Sequence, residues 1–152
     1  MRENIKQTLM KATYEVFEKM FFLFLEPVEK VDMRDASVSC ITFGGAATGR
    51  VSLTISPALA SMMAENMLGC ERCDITDRMI EDCAKEAANM VCGNFLRKMD
   101  EKEVFQLHLP MYAAAEQEDR VCGNVPAGAD DVTVCFESEG AHLQVRLSWM
   151  ET

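Results

Sequence analysis

Apolar residues recur at helical spacing in three parts of the chain. The first is residues 3–25, where an apolar position falls every three or four residues, as on the buried face of a helix. These positions are Leu9, Ala12, Val16, Met20 and Phe24. The second part starts at Ser56-Pro57, since serine caps a helix and proline is tolerated in its first turn, and Gly69 is placed to end it. The third part is a long stretch from about residue 76 to residue 100.

Alternation of apolar and polar residues predicts strands elsewhere in the chain. Val51, Leu53 and Ile55 alternate with serine and threonine, the pattern of a half-buried strand. The polar, glycine-containing stretch 116–130 predicts a surface loop. The predicted strands are residues 37–43, 50–56, near 103–109, 111–115, and two arms of a closing hairpin at 132–136 and 143–149.

The order of these elements predicts the fold class. One helix, two strands and two helices are followed by four strands joined mainly as hairpins. Few βαβ units are indicated, so we expect an α+β fold with a largely antiparallel sheet and helices packed on its face. No linker or low-complexity tract interrupts the pattern, and we expect a single domain over residues 1–152.

Composition and charge narrow the classes of partner. The net charge of −10 argues against binding to nucleic acid and to anionic membranes, because both reward clustered lysine and arginine. No segment approaches the roughly 20 apolar residues of a membrane span. Seven cysteines, an odd number without framework spacing, favour reduced thiols and a cytoplasmic location. A protein partner or a small ligand remains.

The third helix carries the most informative motif, a D-x-x-x-E-x-x-N string made by Asp82, Glu86 and Asn89. At about 100° per residue these side chains and Gly93 fall within roughly 60° of one another. Ala87, Ala88, Cys92 and Gly93 keep the flanks of this face small, whereas a solvated helix face usually carries long charged side chains. The apolar residues predicted for the opposite, buried side are Ile80, Cys83, Ala84, Ala87, Val91 and Phe95. Either an ordinary solvated surface or a site that inserts a carboxylate and a carboxamide into a partner would give this pattern.

Other candidate chemistry is weaker. Cys70 and Cys73 form a C-x-x-C pair, but a structural zinc site needs two further ligands and a redox pair is expected at a helix start. His108 and His142 each stand alone on a strand pattern. Neither a nucleophile elbow nor a glycine-rich phosphate loop occurs. We therefore expect no metal or cofactor of the protein's own.

The motif resembles the signature of the CheC/CheX family of chemotaxis phosphatases. The string Asp82, Glu86, Asn89 is similar to the family's [DS]-x-x-x-E-x-x-N pattern, and the continuation Asn89–Asn94 (NMVCGN) resembles its N-M-x-x-G-N run. The predicted order of elements also resembles that of CheX over nearly the whole chain. One complete signature and a length near 150 residues indicate CheX, since CheC typically has two signatures.

The resemblance implies a phosphatase that removes the phosphoryl group from the phospho-aspartate of a CheY-like receiver domain. It implies that Glu86 and Asn89 are the catalytic residues, Asn89 orienting the attacking water and Glu86 pairing with a receiver lysine. Asp82 and Gly93 would contribute to docking of the partner. The Mg²⁺ ion would be carried by the receiver, and the protein would be a homodimer. A non-catalytic adaptor that binds a receiver or a flagellar-switch component is the alternative.

Overall fold

A computed structural model describes residues 2–123 and 125–152. Its α-helices are α1 (Arg2–Phe21), α2 (Pro57–Leu68), α3 (Asp77–Met99) and the short α4 (Glu118–Cys122). Single 3₁₀ turns occur at Arg72–Asp74 and Ala115–Gln117. The strands are β1 (Glu26–Pro27), β2 (Ser37–Gly45), β3 (Ala47–Ile55), β4 (Phe105–Leu107), β5 (Met111–Ala114), β6 (Asp130–Ser138) and β7 (Ala141–Glu151).

The strands form one antiparallel sheet in the order β1-β6-β7-β3-β2-β4, and β5 pairs with β2 beside β4. The β2–β3 and β6–β7 hairpins are joined through β3 and β7 at the centre of the sheet. This arrangement confirms the predicted α+β class with a largely antiparallel sheet.

The helices α1, α2 and α3 cover one face of the sheet. Side chains alternate across a strand, so Val51, Leu53 and Ile55 of β3 point to the same face, where they join the core cluster with residues of these helices. Helix α3 lies centrally in this layer, in contact with α1, α2, β2 and β3. The helix carrying the signature is therefore held on several sides.

The first helix is shorter than its apolar pattern predicts. It ends at Phe21, because Phe22 adopts a left-handed backbone conformation with φ of 54°. The amide of Leu23 then donates to the carbonyl of Phe17 over 3.0 Å and turns the chain back. Leu23 is buried, whereas Phe24, which the helical pattern placed on the buried face, is 72% exposed.

The predicted loop 116–130 is only partly irregular, since it contains α4. The side chain of Arg50 in β3 holds this segment against the sheet. Its Nη1 atom donates to the carbonyl oxygens of Cys122 and Gly123. Its Nη2 atom lies 3.4 Å from a carboxylate oxygen of Glu118. Only 6% of Arg50 is exposed. A buried guanidinium needs such partners, and they come from residues about 70 positions later in the chain.

The expectation that the cysteines are reduced is wrong for one pair. Cys40 of β2 and Cys122 at the end of α4 form a disulfide bond, and 82 positions separate them in the sequence. The remaining five cysteines are free. Spacing along the chain could not reveal this pair, because a disulfide requires proximity in space and not in sequence.

Candidate functional site

Helix α3 is defined at both ends by its own residues. The hydroxyl of Thr76 accepts a hydrogen bond from the amide of Met79 over 3.1 Å and caps the N-terminus. At the other end, the backbone of Asp100 is extended, and its amide donates to the carbonyl of Leu96 over 3.1 Å. These local contacts explain why the predicted bounds, about 76–100, agree closely with the observed Asp77–Met99.

The signature residues share the outward side of α3, as predicted. Asp82 is exposed, and Glu86, Asn89 and Gly93 are half-buried. Met90 lies beside them with 37% of its surface exposed. The buried residues of the helix are Cys83, Ala84, Ala87, Ala88, Val91, Cys92, Phe95 and Leu96. We call the outward side, defined by Asp82, Glu86, Asn89 and Gly93, the signature face.

The side chains of Asp82, Glu86 and Asn89 have no hydrogen-bond or ion-pair partner among the described residues, in contrast to polar residues elsewhere on the helix. Lys85 pairs with Glu81 over 2.8 Å. A half-buried carboxylate and carboxamide without partners in the described part of the chain can make these bonds with another molecule.

A second asparagine of the signature run, Asn94, has a different environment. Its Nδ2 atom donates to a carboxylate oxygen of Glu15 in α1 over 3.1 Å. Lys98 binds the other oxygen of the same carboxylate, and these contacts lower the pKa of Glu15, with the Lys98 hydrogen bond as the main cause. Asn94 therefore joins two helices, whereas Asn89 is free for other contacts.

The small residues beside the signature face do not all belong to it. Ala88 and Cys92, which the sequence pattern suggested as flanks of this face, are both completely buried. Gly93 does lie on it, and a Cβ atom added there would meet only the Leu107 side chain, at 4.0 Å. Glycine in a helix interior costs about 1 kcal/mol relative to alanine, and no neighbour within the described residues requires it.

An open groove of about 870 Å³ adjoins the signature face. It lies between the first turns of α2, the N-terminal half of α3 and strand β5, and Asp82 forms part of its wall. The groove also receives the Glu81–Lys85 ion pair and, from β5, Tyr112 and Ala114. A partner that covers Asp82 would therefore also meet the edge of the sheet.

The free thiols on α3 do not supply a nucleophile. Burial raises the pKa of Cys92 to about 12. Burial also raises the pKa of Cys83, and the negative charge of Asp82 adds to the shift. Both thiols are neutral at pH 7 and lie on the buried side of the helix. Without a nucleophilic thiol, the residues of the signature face can act on a bound group by positioning it and by electrostatic interaction.

No group of three or more histidine, cysteine, aspartate or glutamate side chains within residues 2–123 and 125–152 is arranged to hold a metal ion. In the C-x-x-C pair, Cys70 is half-buried and Cys73 is exposed. In the same part of the chain, none of the helices combines the length and the apolar character needed to cross a membrane.

The β4–β5 edge of the sheet carries the most exposed apolar residues near the site. Val104 is 80% exposed, Leu109 is 85% exposed and Met111 is 47% exposed. Leu107 of the same edge has a side chain 4.0 Å from the position that a Cβ atom at Gly93 would take. Strands β4 and β5 each pair with β2 along one of their two edges. Along the other edge, beside the signature face, their backbone amides and carbonyls have no neighbouring strand among the described residues.

The fold and the site define an α+β protein with a glutamate and an asparagine on the outward side of a central helix, neither of which has a partner within residues 2–123 and 125–152. Residues 37–137 match the family described as "Chemotaxis phosphatase CheX", and the match includes the whole of α3. The chain belongs to this CheX family of chemotaxis phosphatases, which confirms the resemblance that the signature indicated. No curated protein sequence matches the chain.

Solved structures with the same fold extend over nearly the full chain. The chemotaxis protein CheX from Vibrio vulnificus is 21% identical, with a TM-score of 0.77 and 98% of each chain covered. A CheX from Desulfovibrio desulfuricans is 19% identical, with a TM-score of 0.75, and covers 96% of this chain and 99% of its own. CheX in the CheX–CheY–BeF₃–Mg²⁺ complex from Borrelia burgdorferi is 17% identical, with a TM-score of 0.74 and coverages of 95% and 97%. At these identities the matches show a shared fold.

Proposed function

We propose that the protein is a phosphatase for the phospho-aspartate of a CheY-like receiver domain, acting in the cytoplasm in chemotaxis or a related two-component pathway. The observation that carries the proposal is the pair of Glu86 and Asn89, which share the outward side of α3 and have no partner among the described residues. Membership of the CheX family and the fold shared with CheX in its complex with CheY support the choice of partner.

Asn89 enters the receiver site and orients the attacking water. Its carboxamide both accepts and donates hydrogen bonds at neutral charge, so it approaches a phosphoryl group without repulsion. Hydrolysis of an acyl phosphate needs little covalent help, since positioning and charge stabilisation dominate phosphoryl transfer. The neutral, buried thiols of α3 are consistent with a mechanism that forms no covalent enzyme intermediate.

Glu86 docks the receiver by pairing with a lysine at its phosphorylation site. Asp82 is one turn away at the rim of the groove and adds a second contact. Gly93 allows the partner backbone to approach α3 closely, which explains a glycine that its own fold does not require. The Mg²⁺ that neutralises phosphoryl charge is held by the receiver. The Mg²⁺ in the CheX–CheY–BeF₃–Mg²⁺ complex supports this part of the proposal.

The proposal includes a homodimer. The exposed apolar edge formed by β4 and β5 would pair with the same edge of a second copy, which covers Val104, Leu109 and Met111. This edge adjoins Leu107 and Gly93, so dimerisation would also shape one border of the signature face.

The test is the loss of phosphate from a phosphorylated CheY-like receiver with Mg²⁺ present, measured with and without the protein. Acceleration above the spontaneous rate is the expected result. A decay rate equal to that of the receiver alone would reject the phosphatase function. Binding to a BeF₃-treated receiver is then measured by titration calorimetry. Binding without acceleration of phosphate loss would identify the protein as an adaptor.

A further inference from the structure

The Cys40–Cys122 disulfide joins the sheet to the segment that follows its outer edge. Cys40 is a residue of β2 with 1% of its surface exposed, and its Cα partner across the strand pair is Met111 of β5. Strand alternation places Cys40 on the face opposite to Ile41, away from the helix layer. The disulfide therefore fastens α4 against the side of the sheet that α1, α2 and α3 leave uncovered.

Besides the disulfide, side-chain polar contacts from the sheet hold the same segment, and among the described residues they come from Arg50. Arg50 binds the carbonyl oxygens of Cys122 and Gly123 and pairs with Glu118. Within α4, Glu118–Cys122, no residue is fully buried. A segment with so little buried apolar surface has low local stability, so its order depends strongly on the disulfide and on the Arg50 contacts.

The segment is coupled to the groove beside the signature face. Helix α4 contacts both β5 and β2, and β5 in turn contacts α3. Tyr112 and Ala114 of β5 line the groove together with Asp82 of α3. The disulfide, the edge strand and the groove thus form a continuous series of contacts.

We propose that Cys40 and Cys122 are a thiol–disulfide exchange site that sets the order of the edge segment, residues 108–123. A dithiol reductant gives two electrons and two protons: its thiolate attacks Cys122 Sγ, and the Cys40 thiolate leaves and is protonated. The second thiol of the reductant then displaces Cys122 from the mixed disulfide, so that the products are two protein thiols and the oxidised reductant. Reoxidation uses a low-molecular-weight disulfide such as oxidised glutathione.

Attack falls on Cys122 because it is half-buried, whereas Cys40 is almost completely covered. In the oxidised form α4 holds β5 against β2, and the groove wall is ordered. In the reduced form the edge keeps its strand pairing, the Arg50 contacts and the hydrogen bonds at His108 and Ala115. The consequence for receiver docking rests on the proposed function, since an ordered wall beside Asp82 lowers the KM for the receiver.

The first experiment counts thiols by mass spectrometry after alkylation in denaturant. Protein purified without reductant should show the five free cysteines, and all seven after native treatment with dithiothreitol. The control Cys70→Ser/Cys73→Ser should lower both counts by two and keep the difference. Seven alkylated cysteines before reduction, or no reduction under native conditions, would overturn the proposal.

The second experiment compares the two forms of the same protein by melting temperature and hydrogen exchange. A bridge across 82 residues restricts the unfolded chain, so reduction should lower Tm by roughly 10 °C. Amides of β5 should exchange at least about tenfold faster, while those of α3 change little. Cys122→Ala should have the Tm and the exchange rates of the reduced form, and dithiothreitol should not change them. If that variant does not fold, the wild-type comparison still decides, and equal Tm and exchange in both forms overturn the proposal.

Receiver dephosphorylation is measured on the same two samples. Reduction should raise the KM for the receiver and leave kcat unchanged. Activity absent from both forms would reject the proposed function, while the thiol counts, Tm and exchange would still decide the redox site. Activity present and identical in both forms, together with unchanged β5 exchange, would reject the redox site alone.

Discussion

Replacement of Asn89 by alanine tests the central assignment, because the structure predicts opposite effects on stability and on rate. The Asn89 side chain has no hydrogen-bond partner among the described residues, so the substitution removes no contact within the fold. Alanine is also the better helix former. We expect a free energy of unfolding that is unchanged or raised by up to about 0.5 kcal/mol.

The catalytic effect should be much larger. Loss of one well-placed group that bonds the transition state lowers the rate by roughly 10²-fold, equivalent to about 2.7 kcal/mol in activation free energy. The loss should persist at saturating receiver, because Asn89 acts on the water and Glu86 supplies the main docking contact. A stable variant with a low kcat is therefore the expected result.

The matched control is Asn94→Ala, five residues further along the same helix. This substitution removes the hydrogen bond to Glu15 and should cost about 0.5–1 kcal/mol of stability, because the bond joins α3 to α1. Its rate per folded molecule should equal that of the wild type. Urea unfolding and single-turnover decay of the phosphorylated receiver measure the two quantities. Full phosphatase activity in a folded Asn89→Ala protein would refute the assignment.

Four further changes test the surrounding surface. Glu86→Ala should raise the KM for the receiver at least as much as it lowers kcat, with less than about 0.5 kcal/mol lost in urea unfolding, because the Glu86 side chain has no partner among the residues that the structure describes. Gly93→Leu should fold, since there is room for a Cβ, but should block the partner; wild-type affinity for the receiver would contradict a close approach here. Ala88→Glu should instead destabilise the fold by more than about 3 kcal/mol in the same unfolding assay, because it places an unpaired carboxylate at a completely buried position. Leu109→Asp, at a position 85% exposed, should shift sedimentation from dimer to monomer while the monomer stays folded; a wild type that is monomeric at micromolar concentration would exclude the dimer. Native alkylation monitored by mass spectrometry should modify Cys92 last, because the pKa of its buried thiol is about 12.

The sequence alone predicted α3 and the orientation of its signature residues. Its N-terminal cap, Thr76, bonds an amide only three residues further along the chain, and the helical period likewise relates neighbouring positions. Which side of the helix faces outward follows from that period, so Asp82, Glu86 and Asn89 could be placed together before the fold was known. The central hairpin of β2 and β3 was predictable for the same reason, since alternation is also local.

The width of the buried side of α3 was not predictable from the period. A single apolar stripe left Ala88 and Cys92 as flanks of the signature face, yet both are completely buried. Helix α3 contacts α1 and α2 as well as strands β2 to β5, so its buried arc exceeds that of a helix lying on a sheet alone. How many neighbours surround a helix depends on packing between distant parts of the chain.

The environment of the signature face was likewise decided by tertiary structure. Arg50 meets its partners about 70 residues later, and Cys40 meets Cys122 across 82 residues. Local patterns determined which residues form the signature face, because cap and period act between near neighbours. The groove beside that face, the exposed edge and the disulfide that fastens it arise only when β2, β5 and α4 come together, because each depends on distances between residues that the sequence separates.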